Sequence, residues 1–286
     1  MEKAVCICGA GTMGRGIALT VAGSGVATVL YDLNDDMMSK AKRSIESELQ
    51  QAAEKKRISE TEKETIFQRI KFTISLSDCL APFIIEAIAE NIQDKAALFK
   101  NLATVNSTET VFATNTSSLS VQEIAEQTPF PDRVIGLHFF NPANRMKLVE
   151  IIRTKYVTEQ LVKRATDFAR QLGKTPVVCQ DAPGFIVNHV ARPFYLEALR
   201  LVEEGVAEMN QVDQLMESAG FKMGPFHLMD LIGNDINYTV SRSLYEALEK
   251  PARLKPSILQ EEKINQGLLG IKTGSGFFQY SKTQSE

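Results

Sequence analysis

The sequence lacks several features that would mark other classes of protein. Its 286 residues include no tryptophan, three histidines and four cysteines, and no apolar run of the length that a membrane span requires. Because a transmembrane helix needs about 20 consecutive apolar residues, we expect no membrane partner. The cysteines (6, 8, 79 and 179) lie mostly in apolar runs without the partners of a metal site. We therefore expect Cys6 and Cys8, on one face of the first strand, to be small core residues, and we expect no bound metal and a reducing, cytoplasmic compartment.

An excess of charge of one sign is also missing. The chain carries 32 Lys and Arg against 35 Asp and Glu, a formal net charge of −3. No broad basic face is implied, so a nucleic acid is not an expected partner. The first predicted strand begins at residue 4, which is expected to leave no room for a signal or transit peptide. The length allows one or two domains with a large core.

A glycine-rich loop near the start of the chain is the most informative motif present. An apolar run over residues 4–8 leads into Gly9-x-Gly11-x-x-Gly14, and an apolar helical segment, 17–22, follows. The first glycine permits a tight turn, the second lets the backbone approach a phosphate, and the third lets helix and strand pack closely. Unpaired N–H groups at the helix N-terminus can bind a pyrophosphate. The order strand, glycine turn, helix therefore predicts a dinucleotide site.

An acidic residue at the end of the next apolar run supports this prediction. The run 26–31 ends in Asp32, 18 residues after Gly14. A carboxylate at this place can accept hydrogen bonds from the adenosine ribose hydroxyls and repels a 2′-phosphate. No Arg or Lys occurs between Asp32 and Lys40, so NAD is favoured over NADP. The alternative is a structural strand–helix–strand unit without a ligand.

The order of predicted elements divides the chain into two parts. Two charged helical segments, 34–57 and 59–69, suggest a helical hairpin inserted after the second strand. Further predicted strands are 83–88, 110–114, 133–139, 147–152 and 175–179, with helices 92–105, 121–126 and 159–172 between them. Alternating strands and helices indicate a mostly parallel sheet with helices on both faces. Helical periodicity prevails after residue 182, in segments 185–204, 210–219, 226–232, 235–250 and 256–266. We predict an α/β domain over residues 1–181 and an all-α domain over 182–286.

Polar residues that could take part in catalysis follow or lie in the next predicted strands. Ser117 comes just after the strand 110–114, and ligands of open parallel sheets bind beyond the carboxyl ends of strands. His138 ends the next strand, where an imidazole can exchange a proton near neutral pH. Glu150 lies amid apolar neighbours on the following strand and could pair with that imidazole. The alternatives are a Ser/Thr turn, a structural histidine and a solvent-facing glutamate.

Asn188 is the candidate from the second domain. It lies four residues after Gly184, on the first turns of the predicted helix that opens this domain. Its side-chain amide can donate a hydrogen bond to a substrate oxygen. The alternative is a polar contact between the domains.

Taken together, these residues resemble the short-chain L-3-hydroxyacyl-CoA dehydrogenases, including the bacterial 3-hydroxybutyryl-CoA dehydrogenases. The resemblance covers nearly the whole chain. It is carried by Gly-Ala-Gly-Thr-Met-Gly (9–14), Asn-Thr-Ser-Ser-Leu (115–119), His-Phe-Phe-Asn-Pro (138–142), Met-Lys-Leu-Val-Glu (146–150), Pro-Gly-Phe-Ile-Val-Asn (183–188), Met-Gly-Pro-Phe (223–226) and Lys-Thr-Gly-Ser-Gly-Phe (272–277). It implies a Rossmann-like N-terminal domain with an inserted helical hairpin, an all-α C-terminal domain that forms a homodimer, and NAD-dependent oxidation of a (3S)-3-hydroxyacyl-CoA.

The resemblance also implies residue roles. His138 is the catalytic base or acid with Glu150 as its partner, and Ser117 and Asn188 meet the C3 oxygen of the substrate. The remaining implied contacts are with NAD, through Gly9, Gly11, Thr12, Met13, Gly14 and Asp32 together with Glu90, Lys95 and Asn115 on the nicotinamide side, and with the phosphates of coenzyme A, through Lys55 and Lys56.

Some positions depart from the common family pattern. Asn144 and Arg145 replace smaller or apolar residues, and the stretches 188–195 and 230–235 are similar to the phenylacetate-pathway branch, which acts on 3-hydroxyadipyl-CoA. Arg145 could meet a dicarboxylic acyl end. Two other functions stay open, a dehydrogenase of a free hydroxy acid or sugar acid, and a non-catalytic NAD-binding structural protein.

Overall fold

A computed structural model describes residues 2–280 of the chain. The chain divides between Ala182 and Pro183 into two compact units. The first is an α/β unit and the second is helical, which confirms the predicted fold class.

The first unit is built on one eight-stranded sheet in the order β3-β2-β1-β4-β5-β6-β7-β8. Its strands are β1 (Ala4–Cys8), β2 (Ala27–Tyr31), β3 (Ile70–Thr73), β4 (Phe83–Glu86), β5 (Val111–Thr114), β6 (Val134–Phe139), β7 (Leu148–Arg153) and β8 (Thr175–Gln180). Its helices are α1 (Thr12–Gly23), α2 (Asp35–Glu54), α3 (Glu60–Gln68), α4 (Ile92–Ala103), α5 (Val121–Glu126) and α6 (Glu159–Gln171), with 3₁₀ turns at Leu76–Asp78 and Pro131–Arg133. Neighbouring strands are parallel except β6 and β7, which are antiparallel.

Each face of the sheet is covered because side chains alternate along a strand. In β1, Val5 and Ile7 join the hydrophobic cluster that includes α1 and α6, whereas Cys6 and Cys8 join the cluster that includes α4 and α5. Burial on both faces explains why β1 reads as a continuous apolar run. The predicted burial of these two thiols is confirmed, and all four cysteines are free.

The direction of strand succession reverses at β1, which lies between β2 and β4. Moving outward from β1, the chain proceeds through β2 and β3 on one side and through β4, β5 and β6 on the other. Such a reversal leaves a crevice beyond the carboxyl ends of the strands. The glycine loop follows β1 and therefore lies at this crevice.

Several element bounds differ from the prediction, and three of the differences have a local cause. The edge strand β3 was not expected, because its four residues directly follow α3 and expose Lys71. The helix α2 ends at Glu54 instead of 57, since Lys56 takes a left-handed conformation with φ of 55°. For the same reason α7 begins at Val187 instead of 185, because Phe185 has φ of 49°.

The part of the second unit that the structure describes packs five helices around a hydrophobic core of aliphatic and aromatic side chains. They are α7 (Val187–Glu203), α8 (Met209–Ser218), α9 (Pro225–Ile232), α10 (Asn234–Ala247) and α11 (Ile258–Asn265), with 3₁₀ turns at Ala252–Leu254 and Ile271–Thr273. The loop after α11 is ordered by Asp230, whose carboxylate accepts from the backbone N–H groups of Phe277 and Phe278, each at 2.9 Å. Phe277 enters the core of this unit against Phe226. Within residues 2–280, no helix combines the length and apolarity needed to cross a membrane.

Candidate active site

The glycine loop has the geometry that a dinucleotide requires. A Cβ on Gly9, whose φ is +107°, would lie 2.5 Å from the carbonyl oxygen of Ala87, and a Cβ on Gly14 would lie 1.7 Å from the carbonyl oxygen of Gly9. Open space adjoins Gly11, where an added Cβ would meet nothing within 4 Å. No side chain caps the N-terminus of α1. Backbone N–H groups at this end can therefore receive a pyrophosphate.

Asp32 braces this loop from the end of β2. Its Oδ2 accepts from the N–H of Ala10 at 2.8 Å, and its Oδ1 accepts from the N–H of Asn34 at 3.0 Å. Thr12 and Met13 occupy the first turn of α1 beside it, with Thr12 exposed. The partly exposed carboxylate of Asp32 retains acceptor capacity for ribose hydroxyls. These residues fit NAD.

His138 and Glu150 are brought together by the antiparallel pairing of β6 and β7. They are direct partners in the strand register, and Nδ1 of His138 lies 2.7 Å from Oε2 of Glu150. His138 is 5% exposed and Glu150 is 1% exposed, so the interpretation of Glu150 as a solvent-facing residue is wrong. The ring of Phe140 contacts the imidazole, with centroids 4.4 Å apart. When Glu150 is ionised, its carboxylate only accepts hydrogen bonds, so Nδ1 of His138 then carries the hydrogen in this contact.

A second buried acid, which the sequence analysis missed, ends β4. Glu86 is fully buried, and its carboxylate accepts from Nζ of Lys95 at 2.6 Å, from Oγ1 of Thr114 at 2.7 Å and from the N–H of Ile88 at 2.6 Å. Burial raises the pKa of the Glu86 carboxyl, and the Lys95 ammonium opposes that rise. The sequence signal that could have identified Glu86 is an acid at the end of an apolar strand, which is also the signal that identified Asp32.

Glu90 connects this buried pair to the loop after β5. Its Oε1 accepts from Oγ1 of Thr116 at 3.1 Å and from the N–H of Ser117 at 3.2 Å. Its Oε2 lies 3.3 Å from Nζ of Lys95, which is 1% exposed. The structure thus brings Glu90, Lys95 and Ser117 together, with the lysine as the buried member.

Asn115 links this group of residues to the histidine strand. Its backbone N–H donates to the carbonyl oxygen of Glu86 at 2.8 Å. Its side-chain Oδ1 accepts from the N–H of Phe139, the neighbour of His138, at 2.8 Å. Asn115 therefore joins the carboxyl ends of β4, β5 and β6.

Three more of the predicted site residues lie in helices or at a helix end. Lys55 and Lys56 are exposed at the C-terminal end of α2, in the helical hairpin. Asn188 is partly buried in the first turn of α7 in the second unit, and its carbonyl oxygen accepts from Nε of Arg192 at 3.2 Å. Across the described part of the chain, no cluster of three His, Cys, Asp or Glu side chains could hold a metal ion.

Two family models match the chain. Residues 4–182 match the model described as 3-hydroxyacyl-CoA dehydrogenase, NAD binding domain, and residues 184–280 match the model described as 3-hydroxyacyl-CoA dehydrogenase, C-terminal domain. The chain belongs to the 3-hydroxyacyl-CoA dehydrogenase family, which confirms the resemblance. Its enzyme class is NAD-dependent 3-hydroxyacyl-CoA dehydrogenase, with NAD as the cofactor.

Individual relatives give the degree of similarity. The chain is 40% identical over 280 residues to the 3-hydroxyadipyl-CoA dehydrogenase of Escherichia coli K12, covering 97% of this chain but only 59% of that longer protein. It is 38% identical to a probable 3-hydroxybutyryl-CoA dehydrogenase of Bacillus subtilis, covering 99% of both chains. The crystal structure of (S)-3-hydroxybutyryl-CoA dehydrogenase from Ralstonia eutropha superposes with a TM-score of 0.92 at 34% identity, covering 99% of this chain and 100% of that one.

Proposed function

We propose that this protein catalyses reversible hydride transfer between NAD and C3 of a (3S)-3-hydroxyacyl-CoA, with His138 as general base and acid. The observation that carries the proposal is the buried 2.7 Å contact between His138 and Glu150 at the carboxyl end of β6. The family membership and the glycine loop support NAD as the hydride acceptor.

His138 moves the proton of the reaction. In oxidation it takes the hydroxyl proton of the substrate while the C3 hydrogen leaves as hydride to NAD, giving a 3-oxoacyl-CoA and NADH. Because Nδ1 faces Glu150, the proton exchanged with the substrate is carried on Nε2. Glu150 holds the tautomer and stabilises the imidazolium. Acid–base assistance of this kind contributes about 10²- to 10⁴-fold in rate.

The other site residues would bind and orient NAD and the acyl-CoA substrate. N–H groups at the start of α1, with Thr12 and Met13, would hold the pyrophosphate, and Asp32 would hold the adenosine ribose. Glu90, Lys95 and Asn115 would shape the nicotinamide side. Hydrogen-bond donors of Ser117 and Asn188 would bind the C3 oxygen, where negative charge develops in the transition state. Lys55 and Lys56 would bind phosphates of coenzyme A.

A panel of 3-oxoacyl substrates tests this function. Each candidate is mixed with NADH, and consumption of NADH is followed by absorbance. We expect turnover with 3-oxoacyl-CoA thioesters and loss of turnover when coenzyme A is absent. Equal rates with free oxo acids would favour a dehydrogenase of free hydroxy acids. No turnover with any of them, despite binding of NADH, would favour a non-catalytic NAD-binding protein.

We further propose that the preferred acyl chain ends in a carboxylate. Arg145 is exposed in the loop between β6 and β7, and its backbone N–H donates to the carbonyl oxygen of Pro142 at 3.0 Å. Lys174 fixes the same loop by donating to the carbonyl oxygens of Ala143 and Met146. Similarity to the Escherichia coli 3-hydroxyadipyl-CoA dehydrogenase supports this substrate. Arg145→Ala should lower kcat/KM for a dicarboxylic acyl-CoA substrate more than kcat/KM for a substrate with a butyryl chain. Equal effects on the two substrates would contradict this preference.

We also propose a cytoplasmic homodimer that forms through the helical unit. Large apolar side chains are exposed on this unit, among them Val190, Val206, Leu215 and Ile258, each more than 60% exposed. A contiguous patch of such side chains would be a suitable surface for a second copy of the chain. Light scattering after gel filtration should give twice the mass of 31.7 kDa. The free cysteines support a reducing compartment.

A further inference from the structure

The cluster of Glu86, Lys95 and Glu90 contains two carboxylates and a single ammonium. Nζ of Lys95 lies 2.6 Å from Oε1 of Glu86 and 3.3 Å from Oε2 of Glu90. Three donors surround the Glu86 carboxylate, namely Nζ of Lys95, Oγ1 of Thr114 and the N–H of Ile88. Burial raises the pKa of this carboxyl, and the three contacts oppose that rise by favouring the ionised form. When all three groups are ionised, the cluster holds one negative charge in excess.

This charge is fixed in place by its surroundings. Glu86 and Lys95 are buried, and each makes hydrogen bonds that hold the side chain in one geometry. Glu90 is 43% exposed, yet it is held by Lys95 and by donors from Thr116 and Ser117. A fixed charge needs no reorganisation when a ligand arrives, so its field acts fully on a bound group.

The strand order places this charge relative to the cofactor of the proposed function. A dinucleotide binds across the reversal point with its pyrophosphate at the glycine loop. Asp32 at the end of β2 would take the adenosine ribose, so the nicotinamide half extends to the opposite side, over β4 and β5. Glu86 ends β4, and its register partner Thr114 ends β5.

We propose that Glu86, Lys95 and Glu90 form a fixed, net-negative cluster that favours the oxidised, cationic nicotinamide over the reduced, neutral one. The inference rests on the proposed function. A negative field stabilises the cation and leaves the neutral ring nearly unaffected. Relative stabilisation of bound NAD⁺ makes bound NADH a stronger hydride donor. On the enzyme, hydride addition to C3 of a 3-oxoacyl-CoA, with the proton given by His138 to the oxygen, is thereby favoured, while the overall equilibrium in solution is unchanged.

Substitution of Glu86 distinguishes an electrostatic effect on the bound cofactor from an effect of direct contact with it. It is fully buried between β4, β5 and α4, so it acts on a ligand through its charge and through Lys95 rather than by touching the ligand. Glu86→Gln leaves one ammonium against one carboxylate and makes the cluster neutral. Glu90→Gln has the same effect on net charge from the exposed side. Both substitutions should therefore shift cofactor preference in the same direction.

The test measures the dissociation constants of NAD⁺ and NADH without any substrate. Titration calorimetry is applied to the full chain, to Glu90→Gln and Glu86→Gln, and to Glu109→Gln as the matched control. Glu109 is exposed and precedes β5. Its substitution therefore removes the same charge at the amino ends of the strands, whereas the cluster lies at their carboxyl ends. In Glu90→Gln and Glu86→Gln, the ratio of the NAD⁺ constant to the NADH constant should rise about 3- to 10-fold. The control should leave the ratio unchanged.

Several outcomes would decide against this inference. If both cofactor forms still bind Glu90→Gln with an unchanged ratio, or weaken equally, the cluster has only a positioning role and the proposal is overturned. Glu86→Gln leaves the buried Lys95 ammonium with only the more distant carboxylate of Glu90, 3.3 Å away, and can destabilise the chain. Glu90→Gln therefore carries the decision, and Glu90→Asp should retain the wild-type ratio. A wild-type chain that binds neither form would instead overturn the proposed function.

Discussion

Nδ1 of His138 and Oε2 of Glu150 lie 2.7 Å apart on two adjacent antiparallel strands. Their separation is set by backbone pairing, because the two residues are direct register partners. Side chains that face each other across a strand pair are held at a short distance by the hydrogen bonds between the two backbones. The sheet itself therefore orients the imidazole.

The role of Glu150 predicts the effect of neutralising it. In Glu150→Gln the amide can still form a hydrogen bond, but it stabilises an imidazolium poorly. We expect kcat to fall about 10²-fold or more while KM changes little. Steady-state kinetics with a 3-oxoacyl-CoA and NADH provide the measurement. Glu159→Gln is a suitable control, since this exposed acid of α6 pairs with Arg153, which lies on the same strand as Glu150. A kcat within a few-fold of wild type would contradict this role.

Asp32 predicts the response of cofactor affinity. Asp32→Ala removes the acceptor for the ribose and leaves the N–H groups of Ala10 and Asn34 without their partner. We expect the affinity for NAD to fall about 10-fold and the discrimination against NADP to decrease. Titration of both cofactors tests this result. Asp36→Asn, an exposed acid in the first turn of α2, should leave both affinities unchanged.

Two glycines of the same helix predict opposite outcomes. A methyl group at Gly14 would lie 1.7 Å from a backbone oxygen, so Gly14→Ala must displace the glycine loop. We expect a lower Tm and loss of NAD binding. At Gly23 an added Cβ meets nothing within 4 Å, and Gly23→Ala should stabilise the chain by up to about 1 kcal/mol. Similar Tm values and NAD affinities for the two variants would contradict the close approach at Gly14.

Lys174 gives a prediction that depends on pH. Burial lowers the pKa of its ammonium below the ordinary lysine value of 10.5. Between that lowered value and 10.5 the unfolded chain binds the proton more than the folded chain does, so the contribution of this group to stability rises with pH. Compared with Lys174→Met, the free energy of unfolding of the wild type should therefore increase as pH rises toward 10.5. Denaturant unfolding at several alkaline pH values tests this slope. A constant difference would contradict it.

Much of this site could be predicted because it lies at strand ends. Asp32, Ser117 and His138 each follow or end an apolar run, and parallel strands bring such ends to one edge. The direction of β7 was not predicted, although residues 140–147 form a connection too short for the crossover that parallel strands need. The length of this connection was the usable signal.

Burial of charged groups was harder to anticipate. Lys95 stands in a helix beside polar and apolar neighbours, and its helical position alone does not reveal a buried ammonium. Its burial depends on Glu86, nine residues earlier, and on Thr114 in another strand. Sequence spacing does not report contacts between separate strands. The charge cluster therefore emerged only from the three-dimensional arrangement.

The most direct test of the central claim compares His138→Ala with His227→Ala. His227 lies in the helical unit, where it pairs with Asp213 at 2.7 Å, so it is a matched control. We expect His138→Ala to lower kcat by about 10²- to 10⁴-fold with NADH affinity nearly unchanged, and His227→Ala to keep most of its turnover. Wild-type turnover in His138→Ala would contradict the assignment of His138 as the group that moves the proton.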